Sequence, residues 1–511
     1  MAAALVVAYF ASRLFHLTLL PIYVDESVHI AWALKMVKTG HLIGITDAGK
    51  FVPIWMMSLF VPLASDLLWT ERLVSVGIGV FGLVGCYLLG RRLFGRQVGL
   101  VAAGLYLITP FIFFYDRMAM VDGLLTVLAI YAAFFGFELV RSKRVGHGIG
   151  LGLVLALAVS TKLSGGMLWL LPLVLVVGGL RGKSGGLPPW KWLGLAYAIG
   201  LIGLAPLVAD SLSSPGFVSS PHWMEQLKKT MVGHPNIVLW QAWLANAGLA
   251  LQYLTRYVTP VVLAAAGVGG VLAAVRRRRD ELVLSGMAGV VVAVFVFTSD
   301  PEIWDPRYLL PAVPFVLLVA ARVMTVAAGR LRGWMADRPT RLWAAALMAG
   351  LVLLVIVPAL WFDYWLVVDP VRAPFVVADR RHYLSGEPSG YGLREAADFL
   401  RGELLRAHDI FLVAGKGSPY WNGLDVYLYD VRDGIHHVPD GIQQASPEEL
   451  VRQIAALRNA PLFVLLRPPF DKGLPIDLDA WPYSRRVAHF DKPDGEASID
   501  IYRVSIDYAR E

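Results

Sequence analysis

Residues 119–140 read AMVDGLLTVLAIYAAFFGFELV, followed by the basic RSKR of 141–144. A helix needs about 20 apolar residues to cross the hydrocarbon core of a bilayer, and this stretch has that length. The Arg141, Lys143 and Arg144 behind it are the kind of cluster that keeps one end of a span in the cytoplasm. The chain on either side repeats the pattern. Segments of spanning length fall at 2–20, 70–90, 97–115, 147–164, 165–181, 190–209, 247–275, 281–298, 307–329 and 342–366. Together they predict about eleven spans. The N-terminal one has no basic region ahead of it and no cleavage site, so it is expected to be retained.

The loops set the orientation. Arg91, Arg92 and Arg96 follow the second segment, and Arg181, Lys183 and Lys191 mark a later turn. Arg276 to Arg279 come next, then Arg330, Arg332, Arg338 and Arg341. Every second loop is basic, as the positive-inside rule requires. Those loops are expected to be cytoplasmic, with 21–69 and everything after about 367 facing outward across the cell membrane. The net charge of +7 is thereby a matter of topology, and nucleic acid is not an expected partner. Composition agrees: 57% of residues are hydrophobic and 17% charged, against about 25% charged in ordinary soluble domains. One cysteine, Cys86, leaves no disulfide framework and no cysteine metal site.

Two regions depart from the spans. Between 25 and 68, Asp25 to Lys38 mixes Val28, Ala31, Trp32 and Met36 with charges, as an interfacial amphipathic helix does. Phe51 to Leu68 is apolar but carries Pro53, Pro62 and Asp66, which predicts a short helix in the interface. After 366, helix-like stretches (Gly392 to Leu405, Pro447 to Leu457) alternate with strand-like runs at Ile410 to Ala414, Leu424 to Tyr429, Leu462 to Leu466 and Ser498 to Val504. This predicts a small α/β domain at 367–511, beside a mainly α domain at 1–366. The GKGS of 415–418 lacks the spacing of a phosphate loop.

Ionisable residues near span depth are costly, about 2.5–3.5 kcal/mol at mid-bilayer on insertion scales, and mark function by default. Asp25 and Glu26 follow the first span. Arg117 and Asp122 stand in FFYDRMAMVDGLLTVLAI, Lys162 in AVSTKLSGG, and Arg307 and Tyr308 in DPRYLLPAVP. Each has a bland alternative: a solvated helix start, an Arg–Asp interfacial pair, a snorkelling lysine, an interface anchor. Topology nevertheless brings all of them to the same outer level. Cations there suit a lipid phosphate, and a carboxylate suits a general base.

These motifs resemble the GT-C superfamily of integral membrane glycosyltransferases, in the branch of protein O-mannosyltransferases and lipid A aminoarabinose transferases. The acidic pair of VDES (24–27), GKFVPIW (49–55), TERLVSVGIGV (70–80), RMAMVDGLLT (117–126), STKLSG (160–165) and PRYLLP (306–311) match that family's motifs in order, over about residues 20–315. The resemblance implies a GT-C-like transmembrane bundle, a polyprenyl-phosphate sugar donor and a single inverting displacement. Asp25 would be the general base, Asp122 would position the acceptor or the base, and Glu26 would have a catalytic or helix-supporting part. Lys50, Arg117, Lys162, Arg307 and Tyr308 would grip the donor phosphate. The acceptor, a lipid, glycan or protein, is not specified.

The sequence departs from the pattern in places. The proline pair is reduced to Pro53, and Gly49 stands where relatives often carry an acidic, metal-associated residue. A metal is therefore not expected, with His41, Asp47 and His234 as the remaining possible ligands. YWNG (420–423) only superficially resembles the oligosaccharyltransferase motif. Two rival readings exist. A transporter or flippase of a lipid-linked substrate would be expected to show internal symmetry and midplane breaks. A non-catalytic membrane scaffold would act through its C-terminal domain.

Overall fold

The computed structural model describes residues 2–46, 49–177, 190–213, 239–298, 305–336, 341–414, 420–437, 461–466, 478–495 and 497–505. The predicted helix at 447–457, the GKGS, Asp47 and His234 lie outside these.

Helices dominate the first 368 residues. They are α1 (Ala2–Leu14), α2 (Val24–Thr39), α3 (Phe51–Ser58), α4 (Leu67–Phe94), α5 (Arg96–Ile108), α6 (Pro110–Asp116), α7 (Val121–Ser142), α8 (Val145–Thr161) and α9 (Leu171–Val177). They continue as α10 (Trp190–Ile202), α11 (Ala205–Ser213), α12 (Leu239–Val258), α13 (Pro260–Val275), α14 (Arg279–Thr298), α15 (Val313–Ala336) and α16 (Arg341–Val368). Among the described residues, length and apolar composition qualify six continuous helices as spans, or eight if two bent pairs each count as one. This makes the chain a multi-pass membrane protein.

The difference from eleven straight spans lies in shortened and broken helices. α1 has 13 residues, or about 20 Å at 1.5 Å per residue, against a core of about 30 Å. Pro110 bends α5 from α6 by 62°, and Pro260 bends α12 from α13 by 116°, since proline cannot continue the helical ladder. The segment expected at 165–181 is a 3₁₀ helix, Leu163–Leu170, running into α9. Residues 51–68 form two short pieces, α3 and a turn at Val61–Leu63, neither of which is a span.

At the ends that carry the basic loops, arginines tie helices together. Arg92 of α4 meets Glu138 of α7 in two bonds of 2.5 and 3.0 Å. Arg141 of α7 meets Asp280 of α14 at 2.7 Å.

The chain divides into two compact units. One holds Met1–Leu17, Lys35–Leu59 and Arg72–Pro374; the other holds Thr18–Leu34, Phe60–Glu71 and Phe375–Glu511. In the second, α17 (Leu393–Ala407) and α18 (Tyr420–Tyr427) accompany five strands: β1 (Ile410–Ala414), β2 (Ile435–His437), β3 (Leu462–Leu466), β4 (Ser484–Asp491) and β5 (Ser498–Val504). Their order is β2-β1-β3-β5-β4. β1 runs parallel to β2 and β3, whereas β5 pairs antiparallel with β3 and β4. Leu393, Ala396, Ala397, Leu400 and Leu404 give α17 one buried face, the helical repeat of an amphipathic segment. The strand expected at Leu424 to Tyr429 is not one. Most of it belongs to α18, whose Leu424 is buried.

Candidate active site

Asp122 is the second residue of α7, where the helix dipole favours a carboxylate. Lys162 ends α8, and its extended backbone (φ −165°, ψ 141°) breaks the helix before the 3₁₀ turn of Leu163–Leu170. A Cβ on Gly165 would overlap the carbonyl oxygen of Ala158. That glycine lets the chain fold tightly back on α8 and sets where Lys162 points. Arg307 and Tyr308 open the 3₁₀ helix Pro306–Ala312, directly after Asp305. All of these side chains therefore sit at helix ends, where the backbone leaves the regular ladder.

The structure brings them together. Lys162 Nζ donates to Asp122 Oδ1 at 2.9 Å, and Arg307 Nε lies 3.9 Å from Asp122 Oδ2. Arg307 Nη2 meets Asp305 Oδ2 at 2.8 Å. The Lys162 ammonium stands 4.5 Å from the centre of the Tyr308 ring, and the Arg307 guanidinium 5.7 Å from it, within cation–π reach. Phe295 stacks on the Tyr308 ring at 5.3 Å. Asp122, Asp305 and Arg307 are buried and Lys162 is partly exposed. Two cations thus face two carboxylates around a phenol. Buried charges persist only when paired in this way.

Lys50 caps α3 and is half-buried. A Cβ on its neighbour Gly49 would lie 3.8 Å from the carbonyl oxygen of Val159, in the last turn of α8, three residues before Lys162. Lys50 therefore belongs to the same end of α8.

Arg117 is engaged elsewhere. Its guanidinium donates to the carbonyl oxygens of Ser12, Arg13, Phe15 and His16 at 2.5–3.2 Å. These are the open carbonyls at the end of α1. Arg117 thereby caps the end of α1, next to the Tyr9–Asp116 hydrogen bond of 2.8 Å. Arg72 likewise donates to the carbonyl of Leu17 at 3.0 Å.

Asp25 and Glu26 lie in the other compact unit, in the first turn of α2. Glu26 is fully buried, and its Oε2 accepts from the backbone amide of Tyr23 at 2.9 Å. That is the reach-back of an N3 glutamate in a capping box, so Glu26 shapes the helix start. Asp25, one residue earlier, is half-buried. His41 is exposed.

Asp305 was not singled out from the sequence. Its signal is its place in DPRY, where an N-cap aspartate precedes a helix-opening proline.

The model of the family described as dolichyl-phosphate-mannose-protein mannosyltransferase matches residues 49–209. No curated protein sequence matches the chain. Among solved structures, ArnT from Cupriavidus metallidurans bound to undecaprenyl phosphate is similar, with 15% identity, a TM-score of 0.58 and coverage of 99% of this chain and 98% of that one. The Archaeoglobus fulgidus oligosaccharyltransferase in its apo form is 14% identical, with a TM-score of 0.52 over 91% of this chain and 69% of that one. The archaeal oligosaccharyltransferase AglB from Archaeoglobus fulgidus, in complex with an inhibitory peptide and a dolichol-phosphate, is 12% identical, with a TM-score of 0.51 over the same shares. At these identities the likeness is one of fold. The match over residues 49–209 and the shared fold agree with the resemblance, drawn from the motifs, to the GT-C superfamily of membrane glycosyltransferases.

Proposed function

We propose that the protein transfers a sugar from a polyprenyl-phosphate donor to a hydroxyl of a lipid, glycan or protein acceptor at the outer face of the cell membrane. The observation that carries this is the cluster of Asp122, Lys162, Arg307 and Tyr308, assembled from three helix ends. The donor class is supported by the undecaprenyl phosphate and dolichol-phosphate of the two lipid-bound relatives. It is also supported by the phosphate-linked donor in the matching family's description.

The acceptor oxygen attacks the anomeric carbon of the sugar, and the bond from that carbon to the phosphate oxygen breaks. The configuration inverts in this one displacement. The hydroxyl proton passes to the Asp25 carboxylate, and the polyprenyl phosphate leaves with the bonding pair. Lys162 and Arg307 stabilise the charge that builds on the departing phosphate, with Lys50 as a further cation at the same end of α8. Removing one preorganised donor aimed at developing charge costs about 2.7–4 kcal/mol in an oxyanion hole. Asp122 and Asp305 hold the two cations in place beforehand, so little reorganisation accompanies the reaction.

The test is a panel of polyprenyl-phosphate sugars offered to the purified protein in lipid nanodiscs, with host lipid and glycan extracts as acceptors. Transfer from at least one donor is expected, together with at least a hundredfold loss in Lys162→Met. No transfer from any donor, with undecaprenyl phosphate binding also absent, would refute the reading.

A further inference from the structure

The C-terminal unit reaches back to the residues just ahead of Asp25. Three consecutive backbone amides precede that side chain, and each has a named acceptor. Ile22 N donates to the hydroxyl of Tyr427 at 3.0 Å, Tyr23 N to Glu26 Oε2 at 2.9 Å, and Val24 N to the carbonyl of Pro388 at 3.1 Å. Tyr23 forms an antiparallel bridge with Ser389, and its buried ring lies 4.5 Å from that of Tyr383. The start of α2 is thus an added edge on the segment SGEPSGYG at 385–392.

That segment is held locally by turn bonds, from Ser389 N to the Gly386 carbonyl at 3.2 Å and from Ser389 Oγ to the Tyr383 carbonyl at 3.1 Å. Lys492 fixes it. The Lys492 side chain is buried, and its ammonium donates to the carbonyl oxygens of Gly386 at 2.9 Å, Glu387 at 3.2 Å and Ser389 at 2.7 Å. An ammonium has three donors and no acceptor, and three converging carbonyls match it. Taking such an ion out of water costs several kcal/mol, so a lysine at this place is an expensive way to fill space. Its geometry makes sense as a clamp on a loop. The contact between loop and α2 is backbone against backbone: a Cβ on Gly390 would overlap the carbonyl oxygen of Ile22.

We propose that Lys492 is a positioning residue for Asp25: by clamping 386–389 it holds the backbone of 22–24 and so fixes the direction of the carboxylate in the first turn of α2. The C-terminal domain then serves the reaction through the base. This rests on the reading of Asp25 as general base.

The experiment uses the full-length protein in nanodiscs and four variants: Lys492→Met, Lys492→Arg, Gly390→Ala and Arg406→Ala. The last removes an exposed pair with Glu403 on α17 and serves as control. Hydrogen exchange of the 22–27 amides is followed without donor, and transfer kinetics use the donor found in the panel. In Lys492→Met and Gly390→Ala, exchange at 22–27 is expected to rise at least tenfold. Their kcat is expected to fall at least tenfold, with the donor KM within twofold of wild type. Lys492→Arg should recover most of kcat, and Arg406→Ala should match wild type. Unchanged exchange, unchanged kcat, or a loss confined to KM would overturn the proposal. Should Lys492→Met lose the protection of β3 and β5 as a whole, Gly390→Ala, which keeps the lysine, decides. If wild type transfers from no donor, the proposed function fails, while the exchange result still judges whether Lys492 holds 22–24.

Discussion

Asp122 accepts from Lys162 at 2.9 Å, so removing either charge leaves the other, the buried Asp122 or the partly exposed Lys162, without that match. Breaking a buried pair from one side typically costs about 3–5 kcal/mol. Asp122→Asn is therefore expected to lower the thermal midpoint sharply. Combined with Lys162→Met it should cost clearly less than the sum of the two single changes, as coupled neighbours do. Thermal unfolding of the four proteins of this cycle checks it, and strict additivity would mean the pair is not coupled. Asp122, Lys162 and Arg307 were legible in the sequence because a charge within or beside an apolar run is costly unless it is paired or faces a cavity. Tyr308 was legible as the neighbour of that arginine. Asp305 was harder to see, since an aspartate before proline also reads as an ordinary cap. For Arg117 the sequence shows a cation near span depth but not the carbonyls at the end of α1 to which it donates. Whether such an arginine faces a ligand or a helix end depends on contacts about a hundred residues away.

At the scale of elements, the break between α12 and α13 stands out. Thr259 sits at φ 73°, ψ 144°, buried, in a region that β-branched residues avoid at a cost of about 1–3 kcal/mol. Thr259→Gly is expected to raise stability by about 1 kcal/mol in thermal unfolding, the relief being partly offset by glycine's greater freedom when unfolded. A loss would show that the threonine side chain holds the break. On the sheet, His489 of β4 lies 2.6 Å from Asp500 of β5 and 3.0 Å from Asp491, with Arg486 3.5 Å from Asp500. The hydrogen bond to Asp500, with further help from Asp491, raises the His489 pKa above its ordinary value. The folded protein therefore holds that proton more tightly. The resulting stability is complete below the unfolded value of about 6.5 and is lost as pH rises through the higher folded value. Amides of β4 and β5, corrected for intrinsic rates, should exchange faster at pH 8 than at pH 6, and His489→Gln should abolish that difference. Strands β1, β3 and β5 were legible as short apolar runs. The run at Leu424 to Tyr429 was not, because a brief apolar stretch has no period that separates strand from helix. β4, with its exposed and basic residues, carried no such signal.

For the molecule as a whole, the alternation of basic loops remains the argument for orientation. Cys86 is the single cysteine and is buried, so introduced cysteines can be labelled against a quiet background. A cysteine at Lys143 should react with an impermeant maleimide only after the membrane is opened, and one at Glu403 should react in intact cells. The reverse pattern would invert the topology. Most helical segments were legible from hydropathy, but their bends and shortened ends were not, because prolines, caps and buried arginines set them through tertiary contacts. The most direct test of the account is the transfer rate of Asp25→Asn in nanodiscs, measured beside its affinity for undecaprenyl phosphate. At least a thousandfold fall in kcat is expected, with lipid phosphate affinity kept within about threefold, since a neutral amide cannot take the acceptor's proton. Transfer at the wild-type rate by Asp25→Asn would contradict it.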